Sequence, residues 1–409
     1  MRLYYWYILF IILNINFDKT LFILNPLFFI FVYCILYLFN FKYDNIEHPK
    51  FSKAKGNKFS KSLRKKVNTY FKTNNISKNA NNSMIIKTFI MLTIFLSPFI
   101  ILSLGIVNST WVVFLLYIIS GIGMAGIGMA VGHDAIHGSY SKNKKINKLV
   151  GYSFNLIGAS SKVWEIQHNV LHHTYPNIDN ADDDINTPFF LRFSPNAKKY
   201  WIHKFQHIYI WFFYALSTLL WVTAKDFIRI NRYHNMGFLN KKNEFRNAVL
   251  GIIGWKIFYY SFALILPLIV LELPWWHIVL AFLTMHMFTG LFISLVFQVA
   301  HITPSSEFPL PDENGLIAGD WSTHQFATTA NFSPKSKLFS WFIGGLNFQI
   351  EHHLLPLVCH VHYKELSKIV SETAKEYDMP YNSNRTFLDA IKVHAQMIYK
   401  LGNMEQKFA

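Results

Sequence analysis

The stretch MIIKTFIMLTIFLSPFIILSLGIVNSTWVVFLLYIISGIGMAGIGMAVGHDAIH, from Met84 to His137, decides the fold. Two apolar runs, residues 84 to 107 and 110 to 131, are each long enough to cross a bilayer, which takes ~20 mostly apolar residues. The connection between them, Val107 to Thr110, contains neither Lys nor Arg. The second run ends on His133 and His137, an i, i+4 pair that a helix sets on one face. A helical hairpin that carries paired imidazoles out of a membrane is thus the unit to look for elsewhere in the chain.

It recurs at residues 249 to 271 and 276 to 300, joined by LELPWW (Leu271 to Trp276), again without Lys or Arg, and followed directly by His301. Lys and Arg concentrate in residues 42 to 87, 142 to 204 and 225 to 246, so the open ends of both hairpins are expected to face the cytosol. Membrane topology therefore accounts for the formal charge of +16, and no nucleic acid partner is implied. Among 409 residues, a hydrophobic share of 52% with only 15% charged lies outside the soluble range. The expected fold is an all-α integral membrane protein with two transmembrane helical hairpins and a cytosolic helical cap.

Residues 206 to 223 are apolar enough to span as well, but parity argues against it. One extra crossing would put the histidines after the second and fourth runs on opposite sides, so this segment is expected to lie half-buried in the interface or to re-enter. Residues 1 to 47 form an apolar extension with room for one or two extra helices; a cleaved signal peptide fits it poorly. Residues 48 to 83 are a basic interfacial lead-in with an amphipathic helix around Leu63, Val67 and Phe71, and residues 84 to 409 form the main domain. Cys34 and Cys359 have no CxxC spacing, which argues against a disulfide framework or a thiolate site.

Histidine falls in three tight clusters: HDAIH (His133, His137), HNVLHH (His168, His172, His173) and QIEHH (Gln349, His352, His353). Imidazole suits iron, copper, nickel and zinc, and this many rings imply more than one ion. His168 and His172 would share a helical face with His173 about 100° round, so that adjacent rings serve different ions. His301 is the best further ligand, and the Gln349 amide is suited to accept a bond from metal-bound water. Asp134, Glu165, Glu351 and the run Asp182, Asp183, Asp184 are candidates to accept the second N–H of a ligating imidazole. His203, His207, His234, His277, His286, His360, His362 and His394 are expected to be structural or interfacial, with His286 packed in the core; His324 carries no assignment. A carboxylate-bridged di-iron bundle needs Glu and ExxH pairs, which are absent, so an all-histidine centre at a membrane surface points to an oxygenase or desaturase.

The three motifs, in order, resemble the membrane fatty acid desaturases: HxxxH, HxxxHH and QxxHH. The stretches HDAIHGSYSKNKKINKLVGY, HNVLHHTYPN, WSTHQFATTANF and GGLNFQIEHHLLPLVCHVHY share that likeness, which runs from about Phe51 to the C-terminus. The resemblance is closest to bacterial front-end, delta-6-like acyl-lipid desaturases. It implies two iron ions, O2 as co-substrate, and ligands at His133, His137, His168, His172, His173, His352 and His353, with His301 as a further one. Gln349 in place of a histidine implies front-end chemistry, a cis double bond set between an existing one and the carboxyl end. Many such enzymes carry a fused cytochrome b5 domain with an HPGG motif; here His48 and Pro49 precede Lys50, so electrons are expected from a separate ferredoxin or free cytochrome b5. The implied substrate is an acyl-lipid or acyl-CoA, and the implied location a bacterial inner membrane with the active site on its cytoplasmic side. A related di-iron hydroxylase or carotenoid-modifying oxygenase is the alternative. A metal transporter fits less well, since transport ligands normally lie near the bilayer midplane in discontinuous helices.

Overall fold

The glycines of GIGMAGIGMAVGH govern how the apolar helices assemble. In a computed structural model that describes residues 49–52 and 57–406, four helices are long and apolar enough to cross a bilayer: Asn82–Ser103, Thr110–Ile136, Glu244–Val270 and Trp275–His301, here the first to fourth spans. The second is the most enclosed, because small residues let two neighbours close on it. At Gly123 a Cβ would overlap the backbone of Phe95 in the first span. At Gly121 it would meet Thr289 of the fourth, whose hydroxyl instead donates to the Gly121 carbonyl at 3.1 Å. Tyr117 ties the same helix to the third span by donating to the Ala263 carbonyl at 2.7 Å.

The second span runs five residues beyond the apolar run, through a π-helical turn at Ile127–Val131, and so carries His133 on the same helix. The fourth ends on His301 itself. The opposite ends of the first and third spans reach the same region: Lys87 lies 2.7 Å from His360, and Trp255 stacks on Tyr152. One end of all four spans therefore abuts a cap of short helices and loops.

Residues 206 to 223 fall in a pair of helices, Trp201–Ala215 and Ser217–Asn235, bent by 54° between them. The bend is stitched to the fourth span, since Ser217 donates to the Gly290 carbonyl (3.1 Å) and Thr218 to that of His286 (2.8 Å). His286 is buried between Thr218 and the Tyr259 hydroxyl, a packed core histidine.

Helix Asn57–Thr73 buries Phe59, Leu63, Val67 and Phe71 against Leu366, Val370 and Ala374 of helix Tyr363–Glu376, and turns its lysines outward. Two short parallel pairs close the cap: Lys50–Phe51 with Leu316–Ile317, and Asn331–Phe332 with Ser383–Asn384. The extra helices expected within residues 1 to 47 lie outside the described residues.

The close approach at Gly123 gives a direct test. Gly123→Leu should push the first two spans apart and destabilise the protein by about 1–3 kcal/mol or more, the usual cost of overpacking. The check is a lower thermal midpoint for the purified protein than for Gly251→Leu, where a side chain would enter open space.

Candidate metal centre

Helix ends bring the first two imidazoles together. His133 and His137 sit one α-helical turn apart at the end of the second span, with ring centroids 4.7 Å apart. The next three ride on a π-helical segment, Glu165–His172, whose i→i+5 bonding (His173 N–H to His168 carbonyl, 2.9 Å) alters the expected arrangement. With the wider turn His173 comes alongside His168, their Nε2 atoms 3.2 Å apart, while His172 faces His301 and His353 at ring distances of 4.6 and 5.0 Å. Helix Gln349–Leu354 supplies His352 and His353.

All eight histidines singled out in the sequence converge. His133, His137, His168 and His352 form one set; His172, His301 and His353 form another; and His173 groups with His352 and His353 between them. Within each set the potential ligand atoms lie within 4.8 Å of one another. Nε2 pairs at His133–His168 (3.0 Å) and His173–His352 (2.9 Å) have the spacing of two imidazoles that share an ion at about 2.1 Å. The Nε2 atoms of His137, His172, His301 and His353 are buried without a partner. Leaving them so costs of the order of 1–3 kcal/mol each, which a shared cation would relieve. The residues fit a pair of metal ions.

The outward nitrogens explain why the inner ones point where they do. His172 Nδ1–H donates to Asp182 (3.1 Å), His301 to the Thr328 carbonyl (3.1 Å), His353 to Gln325 Oε1 (2.8 Å) and His352 to the Tyr363 oxygen (3.3 Å). The bonds to the carboxylate, carbonyl and amide oxygens fix the tautomer that leaves a lone pair on Nε2 of His172, His301 and His353. Burial, reinforced by the neighbouring imidazoles, holds His137, His168, His173, His352 and His353 well below the ordinary histidine value, so these rings stay neutral and able to ligate. Burial would lower His172 too, but Asp182 and Asp184 outweigh it and carry the ring up to about 9, so a metal there must displace a proton.

The acidic candidates divide by role. Asp182 holds His172 and also accepts from the backbone N–H groups of Asn177 and Asp184. Asp183 turns away to Arg229, Arg232 and Tyr233 on the bent helix, and Asp184 accepts from Gln167 at 2.6 Å. Asp134 lies 3.9 Å from His133 Nδ1 and accepts from His360 Nδ1–H at 2.8 Å. Two expectations need correction. Glu165 is exposed and paired with Lys162 at 3.5 Å, because the π turn rotates it out of the site. Glu351 accepts from Asn331 and Tyr381, each at 2.8 Å, rather than from an imidazole, and burial pushes its carboxyl up to about 7; it anchors the helix on the side away from the histidines. Gln349 is buried with neither amide atom partnered, and it shares a helical face with His353.

Gln325, Thr328 and Tyr363 were not singled out in the sequence. The hint was their place in the stretches that resemble the family: Gln325 and Thr328 lie in WSTHQFATTANF, and Tyr363 closes GGLNFQIEHHLLPLVCHVHY. His324 packs on Phe51 at 5.3 Å, outside the ligand sets. His360, expected to be structural, is one residue removed from the centre through Asp134.

Comparison with known proteins agrees with this geometry. The fatty acid desaturase family profile matches residues 109–385. The chain belongs to this family. It is 33% identical over 356 residues to an sn-1 linoleoyl-lipid 6-desaturase of Arthrospira platensis, covering 85% of this chain and 94% of that one. A protein of the same description from Synechocystis sp. is 32% identical over 361 residues (87% and 98%). An acyl-lipid (8-3)-desaturase of Physcomitrium patens is 32% identical over 365 residues (87% and 74%). This fatty acid desaturase is accordingly a membrane-bound oxidoreductase of lipid metabolism, and the hydroxylase and carotenoid alternatives are not favoured.

The hydrogen bonds to the rings predict how tightly metal is held. Asp182→Asn and Gln325→Leu should each weaken metal retention about 10- to 100-fold, measured as metal per protein against increasing chelator. Glu165→Gln should retain metal like the wild type.

Proposed function

We propose that this chain is a front-end acyl desaturase. It holds two iron ions between His133, His137, His168, His172, His173, His301, His352 and His353, and sets a cis double bond on the carboxyl side of an existing one, of the delta-6 or delta-5 type. The observation that carries this is the convergence of eight buried imidazoles into two sets with His173 between them. The QIEHH form of the third motif and the two relatives described as 6-desaturases support the regiochemistry.

The reaction takes one hydrogen from each of two adjacent methylenes, together with O2, two electrons and two protons, and gives the alkene and two waters. Bound iron would supply the oxidising power that unactivated C–H bonds require. The protein's own part is to hold and to exclude. Asp182, Thr328, Gln325 and Tyr363 keep their rings aimed inward. Trp164 stacks on His168 at 4.6 Å, and Phe297 packs on both His133 and His168, which keeps water off that side of the centre. Gln349 is placed on the same helix to hold a water or polar group beside the metals.

A ferredoxin or a free cytochrome b5 would supply the two electrons, and the lysines turned outward on helix Asn57–Thr73 suit an acidic donor. The charge bias supports a cap on the cytoplasmic side, in this reading that of a bacterial inner membrane, with the bent pair 201–235 re-entering rather than crossing. The substrate is an unsaturated acyl chain carried on a lipid or on CoA.

Expression in a host fed linoleate, followed by gas chromatography of its fatty acids, should reveal a new double bond between the carboxyl end and the existing ones. His172→Ala and His353→Ala should abolish it with membrane insertion unchanged, while His277→Ala, at the far end beside Thr110, should convert like the wild type. Iron-loaded protein with a competent donor and no new double bond would sink the proposal.

A further inference from the structure

The first and third spans touch at one end and part at the other. Phe95 and Phe99 pack on Phe262, at 6.2 and 5.3 Å, and Gly105 lies against the Val270 carbonyl. Nearer the cap, Thr88 and Leu92 face Gly251, Gly254 and Phe258 across a cavity of about 780 Å³ with an almost wholly apolar lining. The glycines keep it open, since a Cβ at either would meet nothing within 4 Å. The third span is also the least covered of the four, so the cleft opens sideways, toward whatever surrounds the spans.

Three features specify the occupant. The inner wall reaches Val131, two residues before His133, and Ser153, whose buried hydroxyl has no partner. The roof is helix Lys144–Gly151, which lines the cleft with Leu149 and Val150 and exposes Lys144, Lys145 and Lys148 with no acid among them. Across the mouth, Tyr152 of the cap stacks on Trp255 of the third span, centroids 5.8 Å apart and planes at 26°. An apolar slot that opens laterally, reaches the helix that carries His133 and is roofed by lysines matches one ligand: a membrane diacyl lipid with a phosphate in its head group.

We infer that this cleft is the lateral port by which a lipid-linked acyl chain reaches the metal centre from the bilayer, with its head group under the three lysines and Ser153 donating to its ester carbonyl. This rests on the desaturase reading and adds the carrier. A front-end reaction attacks a carbon only a few methylenes from the ester, so the ester must sit close to the metals, and Ser153 lies against Gly132, the residue before His133. Tyr152 and Trp255 act as the gate.

The test uses the full-length, metal-loaded protein in phosphatidylglycerol-containing vesicles, with a phosphatidylglycerol probe that carries a diazirine in its sn-1 chain. After irradiation, mass spectrometry should find the label on peptides 149–156 and 251–258. Gly251→Leu and Gly254→Leu should lower both that labelling and desaturation of lipid-linked chains about tenfold at unchanged metal content. Trp255→Ala, which opens the mouth, should raise labelling even if the leucine variants lose metal. Labelling that lies elsewhere, that is indifferent to all three variants, or that occurs in the cleft only with a diazirine acyl-CoA overturns the port. A wild type that is labelled in the cleft yet makes no double bond counts against the desaturase reading alone.

Discussion

Nitrogen lone pairs that converge in a dry pocket repel one another and find no donor, and this one constraint organises the protein around its centre. Eight imidazoles are buried here, grouped within ligand distance of one another. An apolar fold tolerates that arrangement only if the rings cannot swing away and a cation can take their electrons. Both conditions are visible in the structure. Fixed acceptors hold the outer nitrogens of His172, His301 and His353, and the potential ligand atoms of each set lie within 4.8 Å of one another.

Rigidity at the rings is inherited from rigidity farther out. Asp182 is held in its loop by the N–H groups of Asp184 and of Asn177, a residue with a left-handed backbone (φ 59°) whose side-chain amide donates to the His301 carbonyl. Asp183, one residue on, is locked to two arginines and a tyrosine on the bent helix, and that helix is stitched to the fourth span by Ser217 and Thr218. The fourth span packs on the second through Gly121 and Thr289. A continuous series of hydrogen bonds and ion pairs thus runs from the apolar helices to the loop that holds His172.

Much of this was legible in the sequence because it depends on composition and spacing. Apolar run length gave the four long helices to within a few residues, and the order of the clusters identified the ligand candidates. What stayed hidden depends on winding and on contacts between distant segments. A π turn leaves no mark in periodicity, so the neighbours of His173 and the outward turn of Glu165 could not be anticipated. Gln325 and Tyr363 meet their histidines only through tertiary packing, and an amide or phenol in a hydrophobic stretch carries no motif. Glu351 misled through adjacency: it precedes His352 on the helix, yet its carboxylate is taken up by Asn331 and Tyr381.

The ligand sets also mix the chain's order. His352 completes the set begun by His133, and His353 completes the set begun by His172. Both sets therefore close only when helix Gln349–Leu354 docks, and a chain that stops before residue 352 lacks a member of each.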